Sequence, residues 1–506
     1  MSLIETWRAR AARRLAPFAV SPELVSLAAV VVAFAGVVFA KNLFYDADTY
    51  WHIAAGNWIL DHRAVPAVDP FSYTFKGREW HAHEWLSEVF MAWAFRYGGW
   101  AGVAVLMAAA GGLATWIFAQ TLARWLWVIP RAAILGLVLA SVNTRLFARP
   151  HILSLPLAVA WTAGLLIARD RNRRPSFWLL PVMVVWANMH GGYFIGLLMI
   201  GPLALEALLA ARSWDARRKV VIDWGLFGLL ALCAALVTPL GIDGLLFPLQ
   251  VQGMETLRGI REWLPADFTR VTTLEAALLV SLFFLLSRGT KVPMLRLAMV
   301  LAFLHLALAH RRHELLLMTT APLLLAPAFA GTLQPGRQGD LASGRTRGLW
   351  LGRAAALAAV LGIAIPRLSE PIVRRDAVSA PITAMSKVPA ELRSQPVFNH
   401  YDFGGYLIFK GVPTFIDGRA DLYGDEWMRR YFRIMRGEPK AVDDLLAKER
   451  PVWMIIRSRD ALARAMKDRP GWRTLHADQW AVVLVNVDAL ALAQGRSTSA
   501  PSSTTR

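Results

Sequence analysis

The sequence predicts a polytopic α-helical membrane protein with a small α/β domain at its carboxyl end. Two observations carry this. Of 506 residues, 56% are hydrophobic, well above the share in soluble domains. Apolar runs near the roughly 20 residues that cross a hydrocarbon core recur along the chain, the clearest from Leu24 to Ala40.

Eleven spans are expected, near residues 24–43, 102–122, 125–142, 152–168, 177–189, 193–210, 220–237, 272–286, 294–309, 315–330 and 349–365. Those at 177–189 and 272–286 are short enough to be tilted or re-entrant. With the amino terminus inside, the basic groups at Arg8–Arg14, Arg169–Arg174 and Arg212–Lys219 all fall on the cytoplasmic side, as do Arg288, Lys291, Arg337, Arg345 and Arg347. The net charge of +19 therefore reads as membrane orientation. Its short clusters between apolar segments make no nucleic-acid surface. Val38 and Ala40 have the spacing of a signal-peptide cleavage site, but the run is long enough to anchor. Cys233, the single cysteine, lies in an apolar run and makes no disulfide framework.

The chain divides into a membrane domain, 1–367, an extracytoplasmic α/β domain, 368–490, and a Ser/Thr-rich disordered tail, 491–506. Within the first, residues 44–100 form a large external loop. Its segments Thr49–Asp61 and Glu84–Tyr97 fit amphipathic helices lying against the membrane. In the carboxyl domain Tyr406–Phe409, Pro413–Ile416, Val452–Ile456 and Trp480–Val485 read as strands. Glu426–Met435, Lys440–Glu449 and Arg459–Lys467 read as helices.

Chemistry concentrates in the external segments. Asp46 and Asp48, two residues apart after the first span, can divide between holding a divalent cation and removing a proton from a hydroxyl. They could equally cap the following helix. In the same loop His81, His83 and Glu84 can complete a cation site with Asp48, for Mg2+ or Mn2+; ordinary hydrogen bonding is the alternative. Arg145 and Arg149, one helical turn apart, can clamp a lipid phosphate or merely snorkel. Arg311 and Arg312 stand in an external hairpin with His310, His313 and Glu314, against the positive-inside trend. His190, in the Asn188–Gly192 turn, and Glu262 can face the same cavity, with Glu275 a weaker choice. For Asp417-Gly418-Arg419, a strand-ending turn with a locally paired arginine competes with a reach toward substrate, as does Asp421.

The chain resembles the GT-C glycosyltransferase superfamily, which includes the oligosaccharyltransferase catalytic subunit and protein O-mannosyltransferases. It is closer to a group of bacterial polytopic GT-C-like proteins. The matching pieces are Asp46–Gly56, Pro66–Thr74, Trp80–Leu86, Ala148–His151, Trp186–Gly192, Gly404–Leu407 and Asp417–Asp421. The resemblance implies an inner-membrane enzyme that transfers a sugar from a polyprenyl-phosphate donor to a glycan, lipid or protein acceptor outside the membrane. It places the base at Asp46 or Asp48, sometimes with a divalent metal. Tyr50 and His52, in the first matching piece, join the substrate-binding set. A lipid-linked glycan transporter, a ligase or polymerase using a lipid diphosphate, and a non-catalytic binding relative are the competing readings. Transport is disfavoured because polar residues gather at one surface and no internal repeat is present.

Overall fold

The computed structural model describes residues 22–143, 146–333 and 346–488. The tail and Arg145 lie outside them. Among the described residues the membrane part comprises α1 (Pro22–Val38), α2 (Asp48–His62), α3 (Trp85–Leu122), α4 (Val128–Asn143), α5 (Pro150–Asp170), α6 (Leu179–Met189), α7 (Tyr193–Leu198) and α8 (Ile200–Ala210). It continues through α9 (Trp214–Ala235), α10 (Gly241–Gln252), α11 (Thr273–Ser287), α12 (Met294–Ala309), α13 (Glu314–Leu333) and α14 (Thr346–Ser369). Each apolar segment expected to span is helical. Among the described residues five stretches are both long and apolar enough to cross a membrane: Trp85–Leu122, Pro150–Asp170, Tyr193–Ala210, Arg311–Thr332 and Trp350–Ser369. Helix α11 leaves Leu279, Leu282, Phe283 and Leu286 exposed, an apolar face suited to lipid. Helix α10 was not expected from sequence.

Two details correct the reading of the first loop. Its second amphipathic segment and the following span form one element, α3, bent at Gly99, whose φ of 54° favours glycine. Helix α2 is not a half-exposed interfacial helix, because Thr49 to Ile53, Ala55, Gly56 and Ile59 are all buried. Gly56 permits that packing: a Cβ there would meet the Glu88 carbonyl oxygen at 1.9 Å.

The far end of the bundle is tied by charge. Arg296 Nε donates to Glu206 at 3.0 Å and Nη2 to Asp170, joining α12, α8 and α5. Arg169 pairs with Glu206 at 3.1 Å.

Beyond α14 come α15 (Ile382–Ser386), α16 (Ala390–Arg393), β1 (Val397–Asn399), α17 (Tyr401–Phe409), α18 (Ala420–Met435), α19 (Pro439–Lys448), β2 (Trp453–Ile456), α20 (Ala461–Met466), β3 (Trp472–Ala477) and β4 (Val482–Asn486). The sheet runs β1-β2-β4-β3, with β1 parallel to β2 and the other neighbours antiparallel. All of β2 is buried, and its side chains alternate. Met454 and Ile456 face the cluster holding Phe398 and Tyr431, whereas Trp453 and Ile455 face the one holding Phe403 and Leu407.

Two expected strands fail. Tyr406–Phe409 ends a helix, α17, started where His400 Nδ1 accepts from the Asp402 N–H at 3.0 Å. Thr414 and its neighbours are extended, yet they pair with the first loop, not the sheet. Tyr73 N–H donates to the Thr414 carbonyl at 3.1 Å, and Thr74 Oγ1 to that of Phe415 at 2.8 Å.

Candidate active site

Segments far apart in sequence converge at the opposite end of the bundle from Arg296. Asp46 lies just before α2, and its Oδ1 accepts the Asp48 N–H at 2.8 Å; the N-cap position itself is Ala47, which supplies no side-chain cap. Pro150 holds Arg149 out of the helix in an extended conformation. The neighbouring backbone is fixed to the first loop by Ala148 N–H on the Leu43 carbonyl at 2.8 Å and Thr49 Oγ1 on the Ala148 carbonyl at 3.0 Å. Glu262 sits on the 3₁₀ turn Arg261–Trp263, whose Trp263 carbonyl lies 2.8 Å from His310 Nδ1.

These anchors aim three carboxylates at one guanidinium. Arg149 Nε donates to Asp46 Oδ1 at 2.7 Å, Nη2 reaches Asp48 Oδ2 at 2.7 Å, and Nη1 donates to Glu262. Arg312 lies 3.7 Å from the other Glu262 oxygen, its guanidinium over the Trp263 ring at 4.4 Å. Three acids and two guanidiniums carry one surplus negative charge, which a single proton cancels. Of the three acids, Asp48 is the one whose carboxyl is raised. Burial pushes its carboxyl up to about 8, Arg149 opposes, and the charges of Asp46 and Glu262 reinforce. Burial also acts to raise Glu262, but Arg149 and Arg312 hold it below its ordinary value.

Behind Asp48 is a second acid. The Glu84 carboxylate has His52, His83 and His190 Nε2 atoms at 3.6, 3.8 and 3.6 Å, beyond direct hydrogen-bond range. His52 Nδ1 is 3.1 Å from Glu88. Burial lifts Glu84 to about 8, drops His83 to about 4, and keeps His52 and His190 well below their ordinary value. At neutral pH this is a protonated carboxyl among neutral imidazoles.

The expected cation site does not assemble. Among the described residues no group of three or more His, Cys, Asp or Glu is arranged to hold a metal ion. Asp48 is engaged by Arg149, and His81 turns to the exposed Glu79 at 3.6 Å. The His83 ring packs on Phe247 at 4.3 Å. Other expected residues also stand apart. Tyr50 is 1% exposed among Trp100, Tyr406 and Phe409, and its hydroxyl accepts from Arg374 at 3.0 Å. Arg311 donates to the Pro265 carbonyl and pairs with Asp267. Glu275 lies in the first turn of α11.

The carboxyl domain supplies one wall. Gly405 lies on the Ala47 carbonyl, where a Cβ would come to 2.1 Å. Gly418 lies on Asp48, where a Cβ would stand 1.9 Å from Oδ1. Tyr401 donates to the Gly418 carbonyl at 3.0 Å. Arg419 is not locally paired alone. It donates twice to Asp417, at 2.8 and 2.7 Å, and once to Asp69 of the first loop at 2.7 Å, with Trp80 and Phe71 flanking it.

Sequence reading assigned no role to His151, whose ring is 6.2 Å from His190, nor to Tyr401, and took Gly418 only as part of a strand-ending turn. Nothing in the spacing pointed from that glycine to Asp48, some 370 residues earlier.

No family model matches the chain, and no curated protein matches it. Solved structures similar to it include the Archaeoglobus fulgidus oligosaccharyltransferase in its apo form, with TM-score 0.49 and 12% identity over 86% of this chain and 69% of that one. The same enzyme in complex with Zn and sulfate gives TM-score 0.45 and 12% identity over 91% and 73%. ArnT from Cupriavidus metallidurans bound to undecaprenyl phosphate gives TM-score 0.49 and 12% identity over 92% and 98%. Likenesses this distant transfer no residue role.

Proposed function

We propose that this chain is an inverting glycosyltransferase of the GT-C type that acts on the outer face of the inner membrane. It takes a sugar from a polyprenyl-phosphate donor and passes it to a glycan, lipid or protein acceptor. The observation that carries the reading is the cluster of Asp46, Asp48, Glu262, Arg149 and Arg312 at one end of a bundle of apolar helices. It joins a carboxyl of raised pKa to a guanidinium with spare donors.

In the ionised enzyme the Asp48 carboxylate accepts the acceptor's hydroxyl proton. The freed oxygen forms a bond to the anomeric carbon from the face opposite the phosphate, and the sugar–phosphate bond breaks. Its electron pair stays on the polyprenyl phosphate, whose charge Arg312 stabilises. Arg312 takes this role, rather than Arg149, because each Arg149 nitrogen already serves a carboxylate, whereas Arg312 holds one carboxylate at 3.7 Å.

The test uses purified protein in nanodiscs with a radiolabelled polyprenyl-phosphate sugar and a membrane-lipid and glycan extract. Transfer, or slow donor hydrolysis, is expected. Arg312→Ala raises the donor KM about tenfold or more, the loss of a charge-assisted hydrogen bond worth about 1.5–3 kcal/mol. Labelled lipid that changes leaflet without being consumed sinks the transferase in favour of transport.

A pH profile probes the base. Because the ionised form of Asp48 acts, kcat/KM rises with pH through about 8. The Glu262 charge helps to raise Asp48, so Glu262→Gln moves the rising limb to lower pH. An unmoved limb assigns that titration elsewhere.

A further inference from the structure

We infer that Arg149 is the built-in cation of this site, neutralising three carboxylates and leaving no place for a divalent metal, and that it is a positioning residue and not a phosphate clamp. The inference rests on the transferase reading for its chemistry but not for its test.

The geometry is specific. Asp46, Asp48 and Glu262 reach one guanidinium from the first loop and from the loop before α11, more than 200 residues apart in sequence. Left alone, three carboxylates so placed repel one another and lose solvation. Oxygen donors of this kind are the ligands that Mg2+ and Mn2+ take. Here the centre is a guanidinium: Nε, Nη1 and Nη2 each address a different acid. Its side chain is only 20% exposed, and Pro150 fixes the backbone that delivers it. A planar guanidinium meets each carboxylate along an N–H bond, so it sets the direction of the Asp48 oxygens as a metal would. A metal would have to expel it. The imidazoles of His52, His83 and His190 are gathered around Glu84 instead, and His81 turns to Glu79.

The readout is Mn2+ binding, followed by electron paramagnetic resonance on the full chain in zwitterionic nanodiscs after a chelator wash. Wild type is expected to bind no stoichiometric Mn2+. Arg149→Met keeps the apolar stem and removes the charge, leaving Asp46 and Asp48 without their cation and Glu262 with Arg312 alone; it is expected to bind one Mn2+ at least tenfold more tightly than wild type. The double variant Arg149→Met/Asp48→Asn is expected to lose that gain. Arg149→Lys, which keeps a cation, binds none. One Mn2+ held tightly by wild type and released by Asp48→Asn overturns the inference, as does a folded Arg149→Met chain with no new affinity. If Arg149→Met does not fold, wild type against Asp48→Asn decides alone. Neither measurement needs turnover, so a failed transfer assay leaves it standing, and metal in wild type leaves the transferase standing.

Discussion

Arg419→Met is expected to cost the fold about 3–5 kcal/mol, the usual consequence of deleting one member of a buried ion pair. Arg419 is 1% exposed, and the acids it bridges, Asp417 and Asp69, are 0% and 1% exposed. Methionine roughly fills the space beside Trp80 and Phe71, so the penalty is chiefly electrostatic: two carboxylates remain in a dry interior without their cation. Asp417 keeps the Tyr423 hydroxyl at 2.6 Å, the residue-419 N–H at 3.1 Å and Thr414 Oγ1 at 3.3 Å, neutral donors that offset only part of the lost cation. Against a stability of about 5–15 kcal/mol for a folded domain, the loss would release the carboxyl domain from the first loop. Thermal melting and limited proteolysis in nanodiscs measure it. Arg429→Met is the control, since Arg429 is exposed and pairs with the exposed Glu255 at 3.4 Å, and little change is expected. Adding Asp69→Asn to Arg419→Met should recover part of the loss, because one stranded charge disappears. A wild-type melting curve for Arg419→Met would show the bridge to be dispensable.

The same bridge explains how much could be read from sequence. Helical segments were legible because twenty apolar residues leave few alternatives, and Asp46, Arg149, His190, Glu262 and Arg312, all read from the connections between them, share one end. What periodicity could not supply was the pairing of one loop with another. Thr49–Asp61 carries tryptophan and aliphatics on one side and reads as an interfacial helix. That side is in part covered by α17, whose Gly405 meets Ala47 and Trp51. Tyr406–Phe409 has a strand's composition, but the two glycines before it allow close approach to Asp417 and Ala47, and the helix presents both. The proposed metal set failed for a related reason. His81 and His83 are two residues apart in an extended piece, which sends alternate side chains along one face, yet that face looks onto Phe247 and not Asp48. Spacing established that acids and imidazoles share a loop. Which acid meets which cation depended on Arg149 and Glu262, each arriving from another part of the chain.

Asp48→Asn is expected to lower kcat by about 10²–10⁴, the range over which a positioned general base acts, while the chain stays folded. The amide keeps the shape of the protonated acid that the cluster already accommodates near pH 7. Stability supplies an independent check with a definite sign. The Asp48 carboxyl is raised from 3.8 to about 8 by folding, so its contribution to stability is complete below about pH 4 and is lost as pH rises through about 8. Asparagine does not titrate. The variant should therefore gain in melting temperature relative to wild type between pH 5 and pH 8.5, even as it loses turnover, which is the opposite of what damage to a structural residue produces. Gly418→Ala attacks the same atom from the carboxyl domain. Its Cβ would overlap Asp48 Oδ1 at 1.9 Å, and since Asp48 is held by Arg149 it can only shift by breaking that pair. A displacement near 1 Å at a reacting group costs roughly 10²-fold, so Gly418→Ala should resemble Asp48→Asn in rate. It should lack the gain in stability, because the clash adds strain and leaves the titrating acid in place. If Gly418→Ala turned over normally, the carboxyl domain would be a neighbour of the site and no part of it.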